Sequence, residues 1–481
     1  MTSPSLLIGG EWVDAHAGER EKVTSPYNGD VVGEVALGRP ADATRAIDAA
    51  VLGFETWRRT PAHARFAILT KAAQFADERA EEIAHIISSE NGKSLVEARG
   101  EAGRSGDIIR LAAFEGSQLY GESLPLDANK GTGFDKIGFT IRQPVGVVVA
   151  ISPFNYPALL VLHKIAPALA AGNSVVLKPA RATPLTALAL AQCFVDAGLP
   201  AGVLNVVTGG GADLGDTLVR DSRVRKISFT GSTAVGEHIA SIAGVKKLSL
   251  ELGASGPVIV LDDADIDAAT SSIALGGYIN AGQVCISAQR IIVAESIVGD
   301  FLDALTPKVN AIRVGDPFGD GIAVGGLISR AEADRVRTSI TDAVKDGATL
   351  VTGGDQDGSV ITPAIVANVD PYSAFAQDEL FGPAVAVSTA HDIGHAIELA
   401  NSTAYGLGAG IFTNNLANSI RAIRDIESGV VHVNWTQLWR ADLMPYGGFK
   451  ASGIGKEGPR SAIDEMTEVK TVILHGTPWN N

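Results

Sequence analysis

The stretch VGVVVAISPFNYPALLVLHKIAPALAAGNSVVLKP, residues 145–179, contains two short runs rich in β-branched residues, at 145–151 and 174–177. Runs of the same kind recur further along the chain, at 204–207, 226–229, 248–250 and 258–261. Segments with helical patterns separate them. Short apolar strands that alternate with helices are typical of a doubly wound parallel sheet, so the sequence predicts an α/β fold built on such a sheet.

Helical patterns precede and interrupt this strand-rich region. Residues 41–89 carry apolar side chains three and four positions apart, and Pro61 fits the first turn of the second helix there. Within the strand-rich region the clearest helix covers residues 183–197. Thr183 can cap its N-terminus, and Gly198 ends it.

A second alternating region begins near residue 291. Strands near 291–293 and 384–387 predict a second α/β lobe after the first sheet. A chain of 481 residues is also long for one hydrophobic core, which favours two or three lobes. The run 470–474 has the pattern of a short strand but no obvious partner in the sequence.

Composition and charge limit the function classes. The formal charge of -15 disfavours nucleic acid or an anionic membrane surface as the main partner, so a small molecule is the expected ligand. The longest apolar stretches are far below the roughly 20 residues that cross a bilayer. Residues 1–10 lack the features of a signal peptide, and two cysteines, Cys193 and Cys285, do not suggest a disulfide framework. We therefore expect a cytoplasmic protein.

Cys285 is the first candidate for chemistry. A lone cysteine is usually a small buried hydrophobe, and Cys193, inside an apolar helix, fits that description. Cys285 instead ends the motif Gly282-Gln283-Val284-Cys285, shortly before the strand at 291–293. The glycine and the amide residue can leave backbone N–H groups open near the sulfur, an arrangement that would favour a thiolate and a nucleophilic role.

Two further candidates follow predicted strands. Glu251 stands at the end of the run 248–250, where open α/β sheets place their ligands, and is either a general base or a solvated loop glutamate. Asn155 lies in Pro153-Phe154-Asn155-Tyr156-Pro157, after the run 145–151. The two prolines stiffen the turn, so Asn155 is either a fixed hydrogen-bond donor for an oxyanion or simply a turn former.

Two glycine-containing loops are candidates for binding a dinucleotide. One runs from Gly209 to Gly215 after a strand, and the other, Thr230-Gly231-Ser232, follows a strand and opens a helix. Either loop can present backbone N–H groups to a phosphate. Neither matches the standard dinucleotide fingerprint, so each is equally well an ordinary tight turn.

The order of the motifs resembles the aldehyde dehydrogenase superfamily over essentially the whole chain, from Gly9-Gly10-Glu11-Trp12 to Thr467-Glu468-Val469-Lys470. Beside the three motifs that hold Asn155, Glu251 and Cys285, the resemblance rests on Val176-Leu177-Lys178-Pro179, Phe229-Thr230-Gly231-Ser232, Glu379-Leu380-Phe381-Gly382-Pro383 and Pro445-Tyr446-Gly447-Gly448-Phe449-Lys450.

This resemblance implies a role for each candidate residue. Cys285 would be the nucleophile and Glu251 the general base. Asn155 and the Cys285 backbone N–H would form the oxyanion hole, and Glu457 would assist proton relay. The residues implied to bind the dinucleotide are Lys178 at the adenosine ribose, Ser232 at the pyrophosphate, and Glu379 with Phe381 at the nicotinamide ribose.

The resemblance also implies the organisation of the chain. A Rossmann-like dinucleotide-binding lobe would comprise residues 1–120 and 145–253, and an α/β catalytic lobe residues 254–467. A small bridging β element from residues 121–144 and 468–481 would pair between subunits. The protein would then be a homodimer or homotetramer that oxidises an aldehyde with NAD or NADP through a thioester on the cysteine.

One departure from the family pattern bears on the cofactor. Many members carry a glutamate three residues after the Lys178 position, where it binds both adenosine ribose hydroxyls, whereas this chain has Arg181. An arginine can pair with a 2′-phosphate that a glutamate would repel, which favours NADP. The alternative is that Arg181 points to solvent and that NAD binds through Lys178 alone.

The sequence allows two interpretations of the substrate. The residues that would line its pocket by resemblance are Tyr156, His163, Val284, Ile286, Trp439 and Arg440. Arg440, His163 and Arg104 could recognise an anionic tail, as in the semialdehyde, lactaldehyde, sulfoacetaldehyde and phosphonoacetaldehyde branch. Trp439, Tyr156 and Phe449 could equally form an aromatic pocket.

Two other functions compete with hydrolytic aldehyde oxidation. One is a semialdehyde dehydrogenase that passes the thioester to CoA, but members of that group usually lack the general-base glutamate that Glu251 provides. The other is a non-catalytic protein on the same fold. The presence of Cys285, Glu251 and Asn155 together argues against it.

Overall fold

The computed structural model describes residues 5–476. In chain order its strands are β1 (Leu6–Ile8), β2 (Glu11–Val13), β3 (Arg20–Thr24), β4 (Val31–Ala36), β5 (Ser123–Leu124), β6 (Lys136–Pro144), β7 (Val147–Ile151), β8 (Ser174–Lys178), β9 (Leu204–Val206), β10 (Val224–Thr230), β11 (Lys247–Glu251), β12 (Pro257–Val260), β13 (Arg290–Ala294), β14 (Thr349–Thr352), β15 (Gln356–Asp357), β16 (Val360–Ile361), β17 (Ala364–Ala367), β18 (Ala384–Ala390), β19 (Tyr405–Gly406), β20 (Gly408–Phe412), β21 (Val430–Val433), β22 (Phe449–Lys450), β23 (Gly453–Ile454) and β24 (Thr467–His475).

The α-helices are α1 (Pro40–Trp57), α2 (Ala62–Glu78), α3 (Ala80–Asn91), α4 (Leu95–Ala102), α5 (Ser105–Ser117), α6 (Leu159–Ala170), α7 (Pro184–Asp196), α8 (Asp216–Arg220), α9 (Thr233–Ile242), α10 (Ile266–Gly276), α11 (Val298–Asn310), α12 (Arg330–Lys345), α13 (Ala374–Gln377), α14 (Ile393–Asn401), α15 (Leu416–Asp425) and α16 (Pro459–Glu465). Among residues 5–476, none of the helices has the length and apolarity needed to cross a membrane.

The first large sheet has the order β2-β1-β9-β8-β7-β10-β11-β23. Its central strands β9, β8, β7, β10 and β11 run parallel, which confirms the predicted doubly wound sheet. β7 and β8 are buried at every position. Their alternate side chains pack into two different cores, one on each face of the sheet. A strand covered by helices on both faces gains from apolar residues at every position, which explains the unbroken apolar runs in the sequence.

The second large sheet has the order β14-β17-β18-β13-β12-β20-β21. β13 and β18 confirm the strands predicted near 291–293 and 384–387. The run 258–261, grouped above with the first sheet, was assigned wrongly, because β12 pairs with β13 and β20 in the second sheet. A β-branched run indicates a buried strand but carries no mark of which sheet will accept it.

A third sheet, of order β24-β6-β5, joins the end of the chain to the segment before β7. β24 pairs antiparallel with β6 from Thr467 opposite Pro144 to His475 opposite Lys136. The strand predicted at 470–474 therefore exists, and its partner lies in the same chain. This sheet coincides with the predicted bridging element. The boundaries of the three domains stay a prediction, and their ends at residues 1–4 and 477–481 lie outside the described part of the chain.

Two helix starts differ in detail from the prediction. Pro61 immediately precedes α2 and does not lie in its first turn. α7 begins after Thr183, but the Thr183 side chain accepts no capping hydrogen bond. The buried carboxylate of Glu90, on α3, instead accepts from the Leu185 and Thr186 N–H groups at 2.8 and 2.9 Å. Glu90, from a distant helix, therefore caps α7 in place of Thr183, which the sequence predicted as the cap.

Candidate active site

Cys285 lies where two cavities meet. The larger cavity has a volume of about 780 Å³ and the smaller one about 100 Å³. Cys285, Asn155 and Thr230 line both. Asn155 and Thr230 follow or end the parallel strands β7 and β10, so the cavities open at the carboxyl ends of the first sheet, where open α/β sheets bind ligands.

A strained turn carries the chain to Cys285. Asn280 and Ala281 have left-handed backbone conformations with φ of 51° and 54°, and they are followed by Gly282 with φ of +70°. A Cβ atom on Gly282 would lie 2.1 Å from the Gly382 carbonyl oxygen, so glycine is required there. The Asn280 N–H donates to the Glu97 carboxylate at 2.7 Å, which helps to hold the turn. Such strain persists only where surrounding contacts fix it.

The Cys285 sulfur lies 3.1 Å from the Tyr446 hydroxyl oxygen. Burial raises the pKa of the Cys285 thiol to about 12, and the carboxylates of Glu379 and Glu251 add to this effect, whereas Tyr446 and Arg440 oppose it. Burial of the sulfur therefore opposes the thiolate that the local backbone is expected to favour, and that expectation stays a prediction. Removal of the sulfur from water outweighs the polar groups around it.

Asn155 is fixed at both its side chain and its backbone. Its amide Nδ2 donates to the Gln283 carbonyl at 2.9 Å and carries a second N–H for another acceptor. Its backbone carbonyl accepts from the Lys93 ammonium at 2.7 Å. Lys93 forms a buried ion pair of 2.6 Å with Glu101, whose other oxygen accepts from the Ala158 N–H at 2.8 Å. The turn that carries Asn155 is thus tied to two helices, α4 and α6.

Glu251 ends β11 in a buried position with no hydrogen bond to either carboxylate oxygen. Burial raises the pKa of Glu251 well above its usual range, and the nearby Glu457 carboxylate adds to the shift. The carboxyl group is close to Gly447, because a Cβ atom at that glycine would lie 2.7 Å from Glu251 Oε1. A buried carboxyl without partners is poised to take up a proton.

Glu457 is buried and paired on both oxygens. One oxygen accepts from the Lys164 ammonium at 2.9 Å and the other from the Arg440 guanidinium at 3.2 Å. Although its burial acts the other way, these two cations together hold the pKa of Glu457 at about 2. Lys164 also donates to the Thr230 hydroxyl at 2.6 Å. Glu457 is therefore an ionised anchor for two cations here, and its role in proton relay stays a prediction.

The larger cavity carries four of the residues expected to bind the dinucleotide, Gly231, Ser232, Glu379 and Phe381. Ser232 precedes α9, and no side chain caps that helix. Open N–H groups at a helix N-terminus suit a pyrophosphate. Glu379 accepts from the Ala254 N–H at 3.0 Å, and burial raises its pKa to about 7. The Phe381 ring packs edge-on against Phe154 with 5.9 Å between the ring centroids.

The other predicted cofactor residues are placed differently. Gly209 and Gly215 do not line the larger cavity. Residues Gly211–Gly215 form a single π-helical turn that leads into α8. The contact of Gly209 and Gly215 with a dinucleotide stays a prediction. Lys178 is buried at the end of β8 and donates only weakly to the Pro179 carbonyl, at 3.3 Å. Burial, with Arg181 nearby, lowers the pKa of Lys178 to about 8.

Arg181 is exposed and ion-paired. Its Nε atom lies 2.7 and 3.0 Å from the two carboxylate oxygens of Glu21, on β3. The pair lines a cavity of about 450 Å³ that shares Ala182, Ile328 and Ser329 with the larger cavity. The structure thus adds an acidic partner that the sequence did not predict.

The smaller cavity is lined by most of the predicted substrate residues, Tyr156, His163, Val284, Ile286 and Arg440, and also by Arg104 and Leu438. Trp439 does not line this cavity, so its contact with the substrate stays a prediction. Its side chain is 58% exposed, while Leu438 and Arg440 on either side of it face the cavity. Phe449 is likewise exposed, on β22. The aromatic pocket therefore loses two of its three proposed members.

A second group of charges surrounds the smaller cavity. The Arg104 guanidinium bonds both Asp442 carboxylate oxygens, and His163 Nε2 lies 3.5 Å from Asp442 Oδ1. These partners hold the pKa of Asp442 at about 2. Burial lowers the pKa of His163, whose Nδ1 has no hydrogen-bond partner.

Four residues of the site carried no role in the sequence analysis: Lys93, Lys164, Asp442 and Tyr446. Tyr446 lies inside one of the motifs that carry the resemblance, next to Gly447 and Gly448. That position was the available sequence signal for a site residue. Lys93 and Lys164 have no local pattern that distinguishes them from surface lysines. Only their burial and their partners from other segments identify them.

Comparison with known proteins agrees with this arrangement. The family model described as the aldehyde dehydrogenase family matches residues 12–472. A 3-sulfolactaldehyde dehydrogenase of Priestia megaterium is 42% identical, with 98% of each chain covered. The NADP+ succinate-semialdehyde dehydrogenase of Escherichia coli is 39% identical, with 97% of each chain covered.

The solved structures show the same fold. An NADP-dependent glyceraldehyde-3-phosphate dehydrogenase from Bacillus halodurans, complexed with NADP, superimposes with a TM-score of 0.97 at 36% identity and covers 99% of this chain and 100% of that one. A Brucella melitensis aldehyde dehydrogenase gives 0.96 at 38% identity, with 99% and 98% covered. This chain belongs to the aldehyde dehydrogenase family, as an NAD(P)-dependent oxidoreductase that acts on aldehydes.

Proposed function

We propose that this enzyme oxidises a short aldehyde with an anionic group to the corresponding carboxylic acid. The observation that carries the proposal is the smaller cavity, which places two guanidinium groups, Arg104 and Arg440, and the buried His163 around the space beside Cys285. Cationic donors at the edge of an apolar pocket recognise an anionic group through charge-assisted hydrogen bonds. The relatives named as sulfolactaldehyde and semialdehyde dehydrogenases act on aldehydes of this class, which supports it.

Cys285 acts as the nucleophile in this proposal. After the thiol has given up its proton to water, the sulfur forms a bond to the aldehyde carbon, and the electron pair of the C=O π bond moves to the oxygen. The second Asn155 N–H and the Cys285 backbone N–H donate to that oxyanion. When bound, the nicotinamide dinucleotide accepts the hydride that the adduct loses as its carbonyl re-forms. A thioester on Cys285 remains.

Glu251 completes the reaction. It takes a proton from water while the water oxygen attacks the thioester carbon; the C–S bond then breaks, and the sulfur leaves as a thiolate. The position of Glu251 at the end of β11 supports transfer to water over transfer to CoA, and the assembly of Glu251 with Cys285 and Asn155 supports an enzyme over a binding protein. Glu457 positions Arg440 and Lys164 in this scheme.

The fit of the dinucleotide rests on the uncapped N-terminus of α9 and on the residues of the larger cavity. Gly231 and Ser232 would hold the pyrophosphate, Lys178 the adenosine ribose, and Glu379 with Phe381 the nicotinamide ribose. We also propose a preference for NADP, with Arg181 exchanging Glu21 for the 2′-phosphate. Because Glu21 competes with the phosphate for Arg181, we expect a preference of only about tenfold, the low end of a charge-assisted hydrogen bond.

Arg181→Glu should reverse this cofactor preference. The new carboxylate would repel a 2′-phosphate and accept from the ribose hydroxyls of NAD. The measurement is kcat/KM for NADP and NAD with one aldehyde. Glu21→Gln is the matched variant, since it frees Arg181 and should increase the NADP preference. Equal values for both cofactors in the wild type, or no change in either variant, would show that Arg181 does not contact the cofactor.

Arg104→Gln should separate anionic from neutral substrates. We expect kcat/KM for succinate semialdehyde to fall about tenfold to a hundredfold, mainly through KM, and that for butanal to stay within about threefold, because only the charged substrate loses a charge-assisted hydrogen bond. Arg110→Gln, on the helix that Arg104 precedes but paired with Asp77 and Asp107, is the control and should change the kcat/KM of neither substrate. Equal losses for both aldehydes with Arg104→Gln would contradict an anion site.

We propose that the third sheet mediates assembly into a homodimer or homotetramer in the cytoplasm. β24 is an edge strand, and the apolar side chains of Ile137, Val469, Ile473 and Leu474 on this sheet are exposed. Unpaired edges and exposed apolar groups favour association with another chain. The net charge of -15 supports a small-molecule partner over nucleic acid or membrane.

A further inference from the structure

The Tyr446 hydroxyl is the side-chain group that is hydrogen-bonded to the Cys285 sulfur, at 3.1 Å. Tyr446 is 4% exposed, and its ring lines the smaller cavity beside Val284 and Ile286. A buried phenol usually orients its hydroxyl towards a partner that would otherwise be left unsatisfied. Here that partner is the atom proposed to attack the substrate.

Tyr446 is held by the same residue that holds the nearest cation. Its N–H donates to the Glu457 carbonyl at 3.1 Å, and the Glu457 N–H donates to the Tyr446 carbonyl at 2.7 Å. The Glu457 carboxylate fixes the Arg440 guanidinium, which lies 3.9 Å from the centroid of the Tyr446 ring. The backbone of Glu457 thus sets the position of the phenol, and its side chain sets the cation over the ring.

The charges around the sulfur make this hydroxyl important. Glu251 and Glu379 disfavour a negative charge on Cys285, and Arg440 favours it. Tyr156 lines the same cavity, and burial raises the pKa of its phenol, which stays uncharged. Burial raises the pKa of Tyr446 well above its usual range, so the hydroxyl keeps its proton and remains a donor. A hydrogen bond from a neutral donor to a thiolate is charge-assisted and stronger than one to a thiol.

We propose that Tyr446 is a further catalytic residue, whose hydroxyl donates a hydrogen bond that stabilises the Cys285 thiolate before it attacks the aldehyde and again when it leaves the thioester. No proton is transferred to or from the phenol in either step. Arg440, fixed by Glu457, strengthens the donor by lying over the ring. The proposal rests on the proposed role of Cys285 as the nucleophile.

Tyr446→Phe tests the proposal, because it removes the hydroxyl and keeps the ring under Arg440. The probe is iodoacetamide, and the readout is the rate of Cys285 alkylation by the free enzyme as a function of pH, followed by mass spectrometry. We expect the alkylation rate to fall about tenfold at each pH between 7 and 9, because the thiolate loses its donor and becomes scarcer.

Tyr278→Phe is the control variant. Like Tyr446→Phe, it removes a buried phenolic hydroxyl. The Tyr278 hydroxyl, however, donates to the Ala364 carbonyl at 3.0 Å and not to the sulfur. An unchanged alkylation rate in Tyr446→Phe, or an equal fall in both variants, would overturn the proposal. Alkylation reports on the sulfur even if Cys285 is not the nucleophile. The failure of the proposed function would appear separately, as an active Cys285→Ala enzyme.

Discussion

Cys285→Ala is expected to lower kcat for aldehyde oxidation on the order of 10⁶-fold, the loss seen when a covalent nucleophile is removed from an enzyme. The thiohemiacetal and the thioester both require the sulfur, and no other thiol lies in the site. Cys193 is buried in α7, away from both cavities. Reduced cofactor should not form even in the first turnover. The measurement is the absorbance of the reduced nicotinamide in single-turnover and steady-state assays.

Dinucleotide binding should survive this substitution. The helix N-terminus at Ser232 and the residues of the larger cavity are unchanged, so the dissociation constant should stay within about threefold by calorimetry. Cys193→Ala is the matched control, since it removes the other sulfur and should retain activity. Activity of Cys285→Ala within tenfold of the wild type would contradict the nucleophile assignment.

Glu251→Gln is expected to separate the two halves of the reaction. Formation of the thioester does not need the base, so about one equivalent of reduced cofactor per site should appear in a burst. Hydrolysis does need it, so steady-state kcat should then fall by about 10² to 10⁴-fold, the usual contribution of a general base. Rapid mixing with excess aldehyde measures both phases. A lost burst with a normal Cys285 alkylation rate would assign Glu251 to the attack step.

The same carboxyl group should set the pH dependence. Burial and the Glu457 carboxylate raise the pKa of Glu251, so its basic form is scarce at low pH and accumulates as the pH rises above the usual glutamate range. Steady-state kcat should therefore increase with pH above the usual glutamate range in the wild type. In Glu251→Gln this pH-dependent rise should be absent. A wild-type kcat with no such rise above the usual glutamate range would contradict the assignment.

Much of the fold was predictable because it depends on local pattern. Strands β7 and β8 are covered on both faces, so their apolar runs identify them without knowledge of their neighbours. The apolar pattern alone did not show to which sheet β12 belongs, since pairing joins residues far apart in the chain. The cap predicted for α7 was wrong for the same reason. Glu90 lies far from Thr183 in the sequence, but its carboxylate accepts the N–H groups that the Thr183 side chain was expected to bind.

The sequence predicted which residues meet in the site, but it did not predict the ion pairs and hydrogen bonds that set their charges. Motif order placed Cys285, Asn155 and Glu251 in one site, and the structure brings them together. The ion pair of Glu21 with Arg181 and the contact of Tyr446 with Cys285 each join positions at least 160 residues apart. No periodicity or spacing reports such contacts. The effect of burial on the pKa of Cys285 could not be predicted from the sequence, because desolvation depends on everything packed around the sulfur.

The segment from Tyr446 to Glu457 is closed at its ends by their backbone hydrogen bonds and is laid against β11, where Gly453 pairs with Glu251. In a chimera with another member of the family, exchange of the whole segment would transfer Tyr446, Gly447 and Glu457 together. Exchanging half of it could separate Glu457 from Tyr446. Arg440 would then lose the carboxylate that holds it, or the Tyr446 ring would lose the guanidinium over it. The natural unit for recombination in this enzyme is therefore the whole loop.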